Sequence, residues 1–215
     1  MSNLEKRTRV LKKGSTIGES VLYWMVRDKR AIDNWALIAA QEHAIEHKLP
    51  LIVCFQYIGK YSNANIRQYK FMFDGMKETL FTLKKYNIPL FILQGKAESK
   101  IPELINKYNI GAVFTDLSPL NIYKKRLNKV LSKTIIPFYQ VDAHNIVPIW
   151  ETSEKQEYAA YTIRPKITAK LDNFLEDYPK LKRHPLSINN LPKEQELFKI
   201  YQSLEIDFSV KELDW

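Results

Sequence analysis

The chain has 215 residues, 45% of them hydrophobic and 27% charged, with 33 Lys and Arg against 24 Asp and Glu for a formal charge of +9. That balance suits one sizeable globular core, and no apolar run approaches the roughly 18–20 residues of a membrane span. The start, MSNLEKRTRVLKK, lacks the apolar stretch of a secretory signal, and the single cysteine, Cys54, excludes a disulfide within the chain; a reducing cytoplasm is the natural compartment.

In chain order, residues 1–14 read as a basic flexible arm. Five short runs rich in β-branched and aromatic residues follow, at Val21–Val26, Leu51–Gln56, Pro89–Leu93, Ala112–Thr115 and Ile136–Val141. Helical patterns separate them, which predicts βαβ units and a parallel sheet covered on both faces. The first helix begins at Asp33 or Asn34, either of which can cap it, with a stripe of Leu37, Ile38, Ala44 and Ile45. In the second, Ile66, Tyr69, Phe73, Met76, Leu80 and Leu83 recur in steps of three and four and line one face. A third spans Glu98–Lys107. A fourth runs to Leu131 from a Ser118 cap, with Pro119 in the favoured first position. After Val141 the texture becomes mixed, with helices expected at Lys166–Leu175 and Lys193–Leu204.

Six glycines are too few, and too scattered, for a phosphate-cradling loop. This argues against a kinase, an ATPase or a dinucleotide-dependent dehydrogenase. His43 and His47 stand four apart, as metal ligands can, but no third ligand is evident; they read as exposed histidines near a helix C-terminus, and no metal is expected. Cys54 reads as a core residue. His144 and His184 have no recognisable nucleophile partner, and no catalytic constellation emerges. The conspicuous cluster is Arg27, Asp28, Arg30, Asp33 and Asn34, at the expected C-terminal edge of the central strand, where open α/β sheets bind ligands. Spacing alone favours a salt-bridge and capping network, with Arg27 or Arg30 pairing Asp28, Asp116 or Asp142. The +9 charge suits a polyanion such as nucleic acid, or simply a solvated basic surface.

The cluster lies within YWMVRDKRAIDNWAL, residues 23–37, which resembles the N-terminal signature of the photolyase and cryptochrome superfamily, R-D-x-R-x-x-D-N-x-A-L after an aromatic strand end. The Trp24-Met25 pair is similar to class II cyclobutane pyrimidine dimer photolyases. So are RQYKFMFDGMKE (67–78), IPLFILQG (88–95), TDLSPLNIYKKR (115–126) and above all VDAHNIVPIWETSEKQEYAAYTIRPKI (141–167). The resemblance runs from about residue 15 to 215.

It implies a flavoprotein that uses blue light to split pyrimidine dimers in DNA, with FAD and the dimer held in a helical domain that follows this one. The chain is accordingly expected to be the N-terminal α/β domain (15–142), and 143–215 an interdomain segment leading to an absent FAD-binding domain. By itself it is expected neither to bind FAD nor to repair DNA. The expected fold is a Rossmann-like α/β arrangement, a five-stranded parallel sheet of order 3-2-1-4-5 with helices on both faces. The charged turn would brace the sheet edge. An antenna chromophore, a deazaflavin or a folate, would lie near Trp24, Met25, Phe55, Gln56 and Asp142. Trp150, Tyr158 and Tyr161 would form an exposed interdomain strip, making an otherwise monomeric chain prone to self-association. The alternatives are a free-standing basic module binding nucleic acid or a chromophore, and an inactive truncated product.

Overall fold

The computed structural model describes residues 2–15, 17–58 and 64–188; the helix expected at 193–204 lies outside them. A six-stranded sheet forms the centre, in the order β1-β6-β5-β2-β3-β4. The strands are β1 Thr8–Lys12, β2 Ser20–Met25, β3 Leu51–Tyr57, β4 Leu90–Gln94, β5 Ile110–Asp116 and β6 Phe138–Val141. β2 to β6 pair in parallel, and among themselves they keep the order expected from sequence. The sheet differs from that expectation by β1, which pairs antiparallel with β6 at the edge.

β1 also overturns the reading of residues 1–14 as a flexible arm. A short helix, α1 (Asn3–Lys6), opens with a capping box between Ser2 and Glu5 and leads into β1. Arg7 between them is 1% exposed. Its guanidinium lies 4.6 Å over the Trp35 ring and donates to the carbonyls of Asn145 (2.6 Å) and Ile146 (2.5 Å). Burial lowers its pKa, against the upward pull of Asp142. The N-terminus thereby holds down the segment that follows β6.

Period-two alternation divides the core. Val21, Tyr23 and Met25 of β2 face one side, with α2 (Trp35–Glu46) and α3 (Ile66–Lys85); Leu22 and Trp24 face the other, with α4 (Ala97–Lys107) and α5 (Asn121–Leu131). Cys54 is fully buried in the second layer, and burial pushes its thiol pKa up. α3 buries the stripe read from its sequence at Ile66, Tyr69, Met76, Leu80 and Leu83. Each such side chain contributes about 1.5–3 kcal/mol by leaving water.

Three local expectations differ. α2 is buried along Trp35–Gln41 and at Ala44, while Ile45 is exposed. Its outer face is covered by the chain at 178–184: Tyr178 packs on Trp35 (5.3 Å), and Gln41 exchanges hydrogen bonds with Lys182. α5 is entered from Leu120 with no side-chain cap, so Ser118 and Pro119 precede the helix instead of opening it. Beyond β6, helix comes as α6 (Ile149–Thr152), α7 (Ala160–Thr168) and α8 (Leu171–Phe174) in place of one run at 166–175. No described helix is long and apolar enough to cross a membrane.

One close approach requires glycine. Gly18 enters β2 against Gly111, and a Cβ on Gly18 would lie 2.4 Å from the Gly111 nitrogen.

Candidate functional site

β2 has β3 on one side and β5 on the other, and helices leave from these strands to opposite faces. The C-terminal end of β2 is therefore the topological switch point, where open α/β sheets form ligand crevices. A cleft of about 160 Å³ lies there. Trp24, Met25, Phe55 and Gln56 line it, so four of the five expected antenna residues come together. α3 adds Gln68, Tyr69 and Met72, and α5 adds Tyr123 and Arg126.

The cleft walls are aromatic and its charges are cationic. Phe55 and Tyr57 stack at 6.3 Å, and Phe73 meets Tyr57 edge-on at 5.2 Å. Among the described residues the Tyr57 hydroxyl is buried without a hydrogen-bond partner; burial, and then Tyr69, push its pKa up to about 12. Lys29 places its ammonium 5.2 Å over the Phe55 ring, and burial lowers its pKa against the pull of Asp116. The Arg126 guanidinium sits 5.3 Å over the Tyr123 ring. No carboxylate lines the cleft among the described residues. A planar apolar ligand with an anionic or hydrogen-bond-accepting group matches this chemistry.

Asp142, the fifth expected residue, lies elsewhere. It is fully buried at the end of β6, where its carboxylate accepts from the Asn145 side chain (3.0 Å) and backbone N–H (3.2 Å), and from the Ile149 N–H (2.8 Å). It fixes a turn and does not reach the cleft.

The charged turn is braced, but not by its arginines. Arg27 and Arg30 are exposed and form no ion pair among the described residues. Asp116, from the end of β5, accepts the backbone N–H groups of Val26 (2.8 Å), Arg27 and Asp28 (3.0 Å), and the Tyr23 hydroxyl at 3.2 Å. Asn34 caps α2 by accepting from the Leu37 N–H at 3.0 Å. Its amide nitrogen reaches Tyr23 Oη and the carbonyls of Asp28 and Arg30 at 3.0–3.1 Å. Asp33 is exposed and takes φ 53°, which turns the chain into the helix. Burial raises the pKa of Asp116; the three backbone donors oppose this, and Asp28 adds to it. One Asp28 oxygen lies 3.5 Å from His144 Nδ1, and the other is buried without a partner.

Sequence reasoning placed both histidines of α2 at the surface. His47 is exposed, but His43 is half-buried against Phe114 (5.2 Å) and Tyr139 (5.5 Å). Burial, and then His47, lower the His43 pKa, opposed by Glu46. His184 is buried, with Nε2 2.9 Å from the Leu49 carbonyl. Of the expected interdomain strip, Tyr158 and Tyr161 are 93% and 78% exposed. Trp150 instead docks on the N-terminal segment, donating to the Lys6 carbonyl at 2.7 Å beneath the Arg9 guanidinium.

Comparisons with known proteins bear on the family and the fold. The DNA photolyase family model matches residues 21–185. The chain is 40% identical over 200 residues to a deoxyribodipyrimidine photo-lyase of Potorous tridactylus, covering 92% of this chain and 37% of that protein. It is 39% identical over 183 residues to the one from Arabidopsis thaliana, covering 81% of this chain and 37% of that protein. The chain thus spans little more than a third of these relatives. A cryptochrome crystal structure from Synechocystis sp. PCC6803 superposes with a TM-score of 0.60 at 14% identity, covering 82% of this chain and 39% of that one, a likeness of fold.

Proposed function

The chain belongs to the DNA photolyase family, and from that premise we propose that it forms the chromophore-binding α/β domain of a class II deoxyribodipyrimidine photolyase. The observation that carries this reading is the cleft at the end of β2, with aromatic walls, two cations and an unpartnered Tyr57 hydroxyl. When bound, an antenna chromophore absorbs light and passes the excitation on. The protein's part is binding and orientation. Trp24, Phe55 and Tyr69 offer flat faces to a conjugated ring. Tyr57 Oη supplies a hydrogen bond that no other described residue accepts. Lys29 and Arg126 favour an anion. A folate or a deazaflavin meets these demands.

FAD fits these residues poorly. The first strand-to-helix turn is Arg27-Asp28-Lys29-Arg30, side chains where a pyrophosphate needs glycine, and the N–H groups of Val26, Arg27 and Asp28 are already spent on Asp116. The reading therefore assigns FAD and the pyrimidine dimer to a helical domain, and gives this domain the roles of antenna holder and scaffold. Tyr158 and Tyr161, 93% and 78% exposed and three positions apart, are the side chains this reading gives to an interdomain surface.

Titrating the purified chain with a deazaflavin and with a methenylfolate, followed by ligand fluorescence, tests the proposal. One of the two is expected to bind with 1:1 stoichiometry. Met72→Trp, which fills the cleft from α3, is expected to abolish binding while leaving the circular dichroism spectrum unchanged. Absence of binding by both ligands, or binding indifferent to Met72→Trp, would overturn it.

A further inference from the structure

The last turn of α2 points to a second site, remote from the cleft. We propose that His43, Glu46 and His47 bind a borderline divalent cation of the zinc, nickel or copper type. The three residues occupy positions i, i+3 and i+4, which share one helical face. One donor atom from each lies within 4.8 Å of the other two. The stretch HAIEH has the H-x-x-E-H spacing in which two helical histidines ligate zinc.

Three features prepare these groups for a metal. His47 Nδ1 lies 2.8 Å from the His43 carbonyl, so Nδ1–H donates there and the Nε2 lone pair is free; a backbone carbonyl is a usual orienting partner of a ligating histidine. The His43 ring is wedged against Phe114 and Tyr139, and its Nε2 is buried with no hydrogen-bond partner among the described residues. The Glu46 carboxylate is exposed and forms no ion pair among the described residues.

The helix supplies a fourth contribution. Its C-terminal carbonyls carry partial negative charge, which favours a cation beside the last turn. Tetrahedral donors about 2.1 Å from a metal stand roughly 3.4 Å apart. The two imidazoles are 4.1 Å apart between ring centres, tilted by 30°, and small side-chain adjustments that keep the His47 Nδ1–H bond close the remaining gap. Two nitrogens and one carboxylate oxygen suit zinc, nickel or copper better than magnesium or calcium, with water completing the shell. The ion would staple the end of α2 just before the chain turns at Lys48.

The test uses the whole chain, stripped with EDTA and titrated with Zn²⁺ by calorimetry, with Co²⁺ as a spectroscopic probe. One equivalent of Zn²⁺ is expected, and Co²⁺ should develop a visible d–d band. His47→Ala changes an exposed side chain, leaves the fold in place and is expected to weaken Zn²⁺ binding by roughly 10–100-fold. Glu46→Gln should weaken it less, and His144→Ala should leave it unchanged. Absence of stoichiometric binding, or His47→Ala binding Zn²⁺ as tightly as the parent, would overturn the proposal.

Discussion

The two edges of the sheet solve the same problem differently. At the N-terminal edge, helices return to strands through a repeated backbone device. Lys48 after α2 and Asn87 after α3 both take left-handed conformations, φ 55° and 59°. In each turn the next N–H reaches back to a carbonyl of the last helical turn, Leu49 to Ala44 (2.8 Å) and Ile88 to Leu83 (3.1 Å). Asn109 after α4 is left-handed too, at φ 45°. At the C-terminal edge no device repeats across the strands: Asp116 and Asn34 hold one turn, Asp142 and Arg7 hold another, and Gly95 makes a third at φ 125°. The lesson is that the scaffold edge is built from generic backbone geometry. The crevice edge is built from individual side chains, and it should be far less tolerant of substitution.

The largest expected effect is at the crevice edge. Asp116→Ala strands three backbone N–H groups and should destabilise the chain by about 3–5 kcal/mol in urea denaturation. Arg27→Ala, in the same turn but exposed, should stay within about 0.5 kcal/mol. Equal costs for the two would break the comparison.

Next comes a side chain that bridges the scaffold edge. His184 joins two of its turns: its N–H donates to the Tyr86 carbonyl (2.8 Å), its ring meets the Leu49 carbonyl, and Asn87 donates to its own carbonyl (2.9 Å). Burial holds its imidazole below the ordinary pKa, against the Leu49 bond, which raises it. A depressed folded pKa means that the neutral ring stabilises fully above the unfolded value of about 6.5. That stability is lost as pH falls through 6.5 toward the folded pKa. The urea midpoint should therefore drop between about pH 7.5 and about pH 5.5, and His184→Gln should drop less. His43 has the same sign and leaves a residual slope. Equal pH slopes in parent and variant would show that His184 is not the titrating group.

The smallest effect sharpens the contrast. Lys48→Gly relieves a left-handed lysine and should stabilise by about 0.5 kcal/mol, net of the entropy glycine loses. Asn87→Gly should not gain, because it forfeits the bond to His184. A thermal melt of the pair suffices: Asn87→Gly melting above Lys48→Gly would reverse the assignment.

Legibility followed the same division. The five parallel strands were readable because each is a short apolar run between helical patterns, and right-handed crossovers leave few orders for them. The Asn34 cap and the α3 stripe were readable because both are local. β1 was not, because an edge strand facing water carries charges: in RTRVLK only Arg7 is buried, and nothing nearby announces it. The cluster at 27–34 drew attention correctly to the crevice edge. Its brace, however, is Asp116, some 90 positions away, and local spacing cannot reveal which distant carboxylate arrives. Asp142 was placed in the cleft for the same reason. It stands at the end of a strand, as Gln56 does, but it faces a turn of its own.

The position of β1 also bears on the order of events during synthesis. Arg9 of β1 meets Gln140 of β6, 131 positions along the chain. At about 5–20 residues per second, a ribosome takes roughly 7–26 s to make that stretch. Through this interval the emerging β2, β3 and β4 can already pair, while β1 waits for β6. Arg7 cannot settle either, since the carbonyls it binds at 145 and 146 are made later still. Strand β1 is thus made before β2 but docks after it, and its docking covers β6 and pins the segment beyond it in one step.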